Sequence, residues 1–185
     1  MTRRTPLAPL GPLGLLGLLG FLALLSPAPA AAQNPVPAEC QPMMTAGEKQ
    51  FTVPSHAFMT TTGMGPAPMQ SEAISISGAT YVKVHDHWMK SPLSSEQLVK
   101  QSRDTMTSAK SYSCKQLPDD AVSGVAASVY SSHTETGTGA TDTQVWVAKS
   151  TGLPLKSEVA MNLSGRKSHV SVPYEYANVQ APPVN

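Results

Sequence analysis

The sequence has few charged and few aromatic residues. Asp, Glu, Lys and Arg make up 14% of its 185 residues, and Phe, Trp and Tyr make up 5%. The 13 basic and 12 acidic residues nearly balance, so no basic field is present to attract nucleic acid. A Gly-x-Ser-x-Gly elbow, a phosphate-binding glycine loop and a Cys-x-x-Cys pair are all missing. We therefore predict a protein that is not an enzyme, needs no cofactor and does not bind nucleic acid.

Long apolar runs are confined to the N-terminus, where residues 1–32 have the pattern of a signal peptide. Arg3 and Arg4 precede an apolar stretch over residues 7–25, and small residues and prolines follow up to Ala32. Ala30-x-Ala32 fits the small-residue cleavage rule, so we expect cleavage near Ala32 and a periplasmic or secreted protein. After residue 32 no run reaches the roughly 18 apolar residues of a membrane helix. The mature chain is therefore predicted to have no integral membrane segment.

Only two cysteines are present, Cys40 and Cys114. An even pair in an oxidising compartment favours a disulfide. The bond would close a loop of about 75 residues and stabilise the fold by about 4 kcal/mol in the chain-entropy model. Two separate thiols are the alternative.

The composition of the mature chain, which is rich in Ser, Thr, Ala and Val, favours β-structure. Residues 33–50 are predicted to form a flexible N-terminus with a short helix from residue 39, and residues 51–185 a single β-rich domain. The main helix should begin after a Ser94 cap and end near Lys110.

Alternating apolar residues and glycine-bearing turns predict an antiparallel sheet. Residues 52–62 are expected to form an edge strand because they contain Pro54. Residues 81–90 are expected to form a hairpin around His85-Asp86. Residues 118–120 are expected to form a turn, and one long strand is expected to follow over residues 121–133.

Sequence motifs in this region resemble those of the periplasmic lipoprotein-carrier (LolA/LppX-like) half-barrel superfamily. The stretch V-W-V-A-K-S-T-G-L-P-L-K-S-E over residues 145–158 is similar to a strand, turn and strand of these proteins. V-P-Y-E-Y-A-N-V over residues 172–179 resembles their closing strand, and residues 81–92 resemble an earlier hairpin. The resemblance implies an α+β fold: a curved antiparallel sheet, an incomplete β-barrel, with one main helix and a weak N-terminal helix packed at its concave side. It implies that the chain is a small member of the superfamily. Because fold does not determine function, the resemblance predicts the fold with more force than the class of ligand.

Alternate apolar positions on the predicted strands would line either a ligand pocket or a solid core. They are Ile74, Ile76, Val125, Val129, Val145, Val147, Val159, Met161, Val170 and Val172.

Two groups of residues, a pair of histidines and a set of methionines, are candidate metal ligands. His85 and His87 would share one face of a continuous strand, but a hairpin turn at Asp86 would separate them. Six methionines, from Met43 to Met89, lie early in the mature chain and could supply thioethers to Cu(I). Their spacing matches no tight chelate, however, and core packing or a pliable lining for an apolar groove is the favoured explanation.

Three functions therefore remain open. The first is a periplasmic, non-enzymatic protein that binds a lipid or an acylated partner protein on its concave sheet face. The second is an interaction or structural module with no cavity. The third is copper handling through His and Met.

Overall fold

The computed structural model describes residues 36–84 and 86–184, and the predicted signal peptide lies outside these residues. The described residues contain one 3-10 turn, two α-helices and nine β-strands. In chain order they are the 3-10 turn Ala38–Cys40, α1 Gln41–Gln50, β1 Ser55–Thr62, β2 Met69–Ile76, β3 Ala79–Val84, β4 His87–Lys90, α2 Ser95–Thr107, β5 Ser111–Val122, β6 Val125–Glu135, β7 Gly139–Ala148, β8 Pro154–Leu163 and β9 Arg166–Glu175.

All nine strands belong to one antiparallel sheet in the order β4-β3-β2-β1-β9-β8-β7-β6-β5. Strands β4 and β5 form its two edges, so the sheet is open, which confirms the predicted fold class. The expected edge position of β1 is wrong, because β1 lies between β2 and β9. Pro54 directly precedes the strand, so the N–H that proline lacks removes no hydrogen bond between β1 and its neighbours.

The predicted turn at residues 118–120 is also wrong. Strand β5 continues through Pro118 to Val122, and a register shift between Leu117 and Asp120 absorbs the proline as a bulge. The chain reverses instead at Ser123 and Gly124, which both adopt positive φ. Positive φ at both central residues is the geometry of a tight hairpin turn.

The two faces of the sheet differ in what covers them. Val145 and Val147 of β7 pack with Ala46 of α1, and we call this side the helix face. Met43 and Tyr130 pack against the same cluster. Successive residues of a strand point to opposite sides, so Trp146 lies on the other side, which we call the outer face.

A disulfide joins Cys40 and Cys114, as predicted, and Cys40 is fully buried. The bond links the 3-10 turn before α1 to edge strand β5. Because α1 follows Cys40 directly, the same bond holds α1 over the helix face.

Helix α2 begins at the predicted cap. Ser94 Oγ accepts a hydrogen bond from the Gln97 N–H at 3.2 Å, and Gln97 Oε1 accepts one from the Ser94 N–H at 2.8 Å. This reciprocal capping box satisfies two backbone donors that a helix leaves unpaired. The helix ends at Thr107, three residues before the predicted end.

The segment containing α2 requires the sheet to be curved. Two backbone hydrogen bonds attach this segment to distant points of the sheet. The Ser95 N–H donates to the carbonyl of Gly78 in the β2–β3 turn, and the Lys110 N–H donates to the carbonyl of Glu135, the last residue of β6. In a flat sheet these two points would lie more than about 40 Å apart. Residues 95–110, mostly helical, span only about 30 Å. The sheet must therefore bend so that its helix face is concave.

Replacement of both cysteines in the double variant Cys40→Ala/Cys114→Ala should lower the free energy of unfolding by about 4 kcal/mol. The physical reason is that the unfolded chain regains the freedom of a long loop. Urea denaturation measures the loss. Reduction of the wild-type protein should reproduce it, and a reductant should not affect the variant. An unchanged urea midpoint in the double variant would contradict the prediction.

Ser94→Ala should destabilise the protein by about 1 kcal/mol, because the Gln97 N–H loses its acceptor. Hydrogen exchange at the first turn of α2 should accelerate accordingly. Ser94→Asp is the matched control, since its carboxylate can accept the same hydrogen bond. Equal exchange rates in the alanine variant and the wild-type protein would rule out a capping role.

Candidate functional site

A cavity of about 220 Å³ lies between the two helices and the helix face. Its cover comes from Met43, Met44, Gly47, Glu48, Gln50 and Phe51 of the α1 region and from Val99, Ser102, Arg103 and Met106 of α2. Its floor comes from Tyr112, Thr143, Val145, Pro154, Ser157 and Tyr174 of strands β5, β7, β8 and β9. Most of this lining is apolar, and the three methionines are flexible enough to adapt to a bound shape.

Two polar side chains of the cavity floor bond each other, whereas the buried Tyr112 Oη has no hydrogen-bond partner among the described residues. Ser157 Oγ and Tyr174 Oη are 3.2 Å apart, and Tyr176 Oη donates to the Pro154 carbonyl at 2.5 Å. Burial raises the pKa of Tyr174 and Tyr176, which keeps both phenols neutral. Burial also raises the pKa of Tyr112, an effect that the nearby Ser132 hydroxyl partly offsets. The floor therefore presents no charge to a ligand.

One ion pair lines the cavity where α1 meets α2. Arg103 Nε donates to Glu48 Oε1 at 2.6 Å. The hydrogen bond from Arg103 lowers the pKa of Glu48, and the same bond raises the pKa of Arg103. Both side chains remain partly exposed, at 34% for Glu48 and 55% for Arg103, so they form a solvent-accessible rim.

The ten apolar residues predicted to line a pocket do not share one face. Strand pairing places Val145, Val147, Val159, Met161, Val170 and Val172 on the helix face. It places Ile74, Ile76, Val125 and Val129 on the outer face. Of the ten, only Val145 lines the cavity. A ligand-contact role for the other five on the helix face stays a prediction.

The residues named from the sequence include few of those that line the cavity, because α1, the residue that follows it and α2 supply more than half of the lining. A usable signal was present in α2, where Val99, Arg103 and Met106 recur at intervals of three and four. Met43 and Gly47 have the same spacing in α1. The ten residues named as lining all lie on strands, so these faces were left out, although the early methionines were considered as a lining for an apolar groove.

The outer face carries paired charges on β6–β9 in addition to buried apolar residues such as Val129 and Ile74. His133 Nδ1 is 2.7 Å from Asp142 Oδ1, and His169 Nε2 is 3.1 Å from Glu158 Oε2. These pairs flank a polar groove of about 470 Å³ that has Ala160 in its lining. The Lys156 ammonium lies 4.9 Å from the ring centre of Trp146. The carboxylates of Asp142 and Glu158 in this groove thus each already have a partner within the protein.

The candidate metal ligands are not brought together. His85 lies outside the described residues, and His87 is exposed on edge strand β4. Within residues 36–84 and 86–184, no group of three or more His, Cys, Asp or Glu side chains is arranged to hold a metal ion. The methionines are divided: Met43, Met44 and Met106 line the cavity, whereas Met64, Met69 and Met89 are at least half exposed elsewhere.

No helix in the described part of the chain is both long and apolar enough to cross a bilayer.

Comparison with known proteins gives matches at the level of structure. No protein-family model matches the chain, and no curated protein matches it. The lipoprotein LppX of Mycobacterium tuberculosis matches with 11% identity and a TM-score of 0.43, over 80% of this chain and 99% of that one. LprF of Mycobacterium bovis matches with 11% identity and a TM-score of 0.43, over 81% and 99%.

MucB, in its complex with MucA(peri), matches with 15% identity and a TM-score of 0.45, over 78% of this chain and 60% of MucB. At these identities and TM-scores the likeness carries no conclusion about what this chain binds.

An ion triad on β1, β2 and β3 makes stability depend on pH. Glu72 Oε1 is 2.8 Å from Lys83 Nζ, and Glu72 Oε2 is 2.9 Å from His56 Nε2. The hydrogen bond from Lys83, aided by that from His56, lowers the pKa of Glu72. A lowered folded-state pKa stabilises the protein above the ordinary Glu pKa of about 4.3, and this contribution is lost as pH falls through the folded-state value.

Glu72→Gln should therefore destabilise the protein at pH 6 by less than about 1 kcal/mol, as expected for a partly exposed pair. The difference from wild type should shrink as the pH is lowered towards 3, since wild-type Glu72 then becomes protonated. Urea denaturation at a series of pH values measures this. A difference that stays constant over the whole series would argue against the triad.

Proposed function

We propose that this protein works outside the cytoplasm as a non-enzymatic binder of an apolar ligand, either a lipid or the acyl chain of a partner protein. The single observation that carries the proposal is the apolar cavity between the two helices and the helix face. Ligand sites in proteins are typically concave and mostly apolar, with few polar groups that fix orientation. The cavity has these properties, and its only charges lie at its rim.

Two further observations support the location. The first 32 residues have the pattern of a cleaved signal peptide. A disulfide closes a long loop between Cys40 and Cys114, and such bonds persist in oxidising compartments. Both favour the periplasm or the extracellular space over the cytoplasm.

The alternative of a module without a ligand is less well supported. In such a module the space under the helices would be filled by the protein's own side chains, as in small barrels. Here Gly47 contributes no side chain to a helix position that faces the cavity, and an added Cβ would meet no atom within 4 Å. Copper handling likewise gains no support from the placement of the His side chains.

The same glycine provides the test. Gly47→Leu should place a side chain in free space at the cavity and reduce its volume. We expect affinity for a fluorescent polyene fatty acid to fall at least about tenfold, a loss of about 1.4 kcal/mol. The free energy of unfolding should rise by up to about 1 kcal/mol, because glycine is unfavourable inside a helix.

Gly65→Leu is the matched control, since Gly65 lies in the β1–β2 loop, has no atom within 4 Å of an added Cβ and does not line the cavity. It should bind the probe like wild type. Native mass spectrometry of the purified protein should additionally reveal a co-purifying lipid. A bare mass, together with equal probe affinity for both leucine variants, would refute the proposed function.

A further inference from the structure

The size of the cavity limits the number of chains that it can hold. Its volume of about 220 Å³ lies below the roughly 300–1,000 Å³ of sites for drug-sized molecules. One short alkyl chain fits such a space, whereas the paired chains of a diacyl lipid do not. If the proposed function holds, the ligand inserts a single chain.

The rim determines which head group such a chain can carry. Glu48 and Arg103 supply one anion and one cation side by side. They are joined through Arg103 Nε and Glu48 Oε1. The Nη groups of Arg103 and the Oε2 of Glu48 take no part in this bond and can face a ligand.

A head group that carries a single charge gains little binding free energy at this rim. A carboxylate head group is attracted to Arg103 but repelled by Glu48 at nearly the same distance, and an ammonium head group meets the reverse. A head group with both charges can satisfy both side chains at once. Guanidinium groups also bind phosphate through parallel hydrogen bonds, which favours a phosphate as the anionic part.

We propose, on the basis of the proposed function, that the cavity selects a single-chain zwitterionic amphiphile. Its alkyl chain enters between Met43, Met106 and Val145. Its phosphate binds the Nη groups of Arg103, and its ammonium group binds Oε2 of Glu48. A lysophosphatidylethanolamine has this chemistry.

The test compares four amphiphiles of equal chain length below their critical micelle concentrations. They are lysophosphatidylethanolamine, a fatty acid, an alkylammonium and a monoacylglycerol. Isothermal titration with the full mature protein should show the zwitterion binding about fivefold to tenfold more tightly than the others, which corresponds to two partly exposed ionic contacts.

Single variants should redirect this preference. Glu48→Gln should make the fatty acid bind as tightly as the zwitterion, because the repelling carboxylate is gone. Arg103→Gln should favour the alkylammonium. The matched control is Lys100→Gln/Asp104→Asn, which removes an exposed ion pair of α2 that does not line the cavity. It should leave the order of affinities unchanged.

The outcomes separate this inference from the proposed function. Equal affinity for all four amphiphiles, abolished in each case by Gly47→Leu, would overturn the head-group selection while the apolar site stands. An unchanged order of affinities in Glu48→Gln and Arg103→Gln would overturn it as well. Failure of all four to bind would overturn the proposed function itself.

Discussion

The covalent link between Cys40 and Cys114 holds the cover of the cavity in place. Helix α1 has only ten residues and contains Gly47 in its interior, and isolated helices of this length are marginal in water. Ala46 is the only residue of α1 that is fully buried. The disulfide attaches the turn before α1 to β5 and so fixes the start of α1 over the helix face. The packing of Ala46 is then enough to hold the rest of the helix there. Without the link, the part of the cover that α1 supplies would lose its covalent attachment to the sheet and depend on its few non-covalent contacts.

The second half of the cover is held more loosely. Only Ser95 is fully buried within α2, whose other residues are exposed or partly exposed. The cavity therefore has one wall of hydrogen-bonded strands and another of two short helices with flexible methionines. Regions with few buried contacts open at low free energy, and binding sites are commonly built from them. The asymmetry is compatible with the proposed function, in which a chain enters from solvent and is then surrounded.

The sequence allowed the strands, the main helix cap and the disulfide to be predicted, because each depends on local patterns or on cysteine count. Ser94 with Gln97 is a local signal, and so are the glycine-bearing turns. The bulge at Pro118 was misread, because a proline followed by two aspartates also fits a turn. Which face each strand buries depends on pairing across the sheet. Ile74 and Val145 are both apolar residues of predicted strands, yet they lie on opposite faces. The cavity arises from two helices and four strands spread over residues 43–174, which no local pattern records.

The strand order has a consequence for how the chain reaches this state. Strands β1–β4 and β5–β9 each pair in sequence order, and only β1 with β9 joins the two groups. Ala57 pairs with Tyr174, near the end of the chain. Pairings between such distant segments form slowly, because a long loop must close first. A chain that becomes available from its N-terminal side presents β1 well before β9, so one side of β1 stays without its partner until residues 166–175 have followed. In that interval the unpaired edge of β1 can pair with other chains.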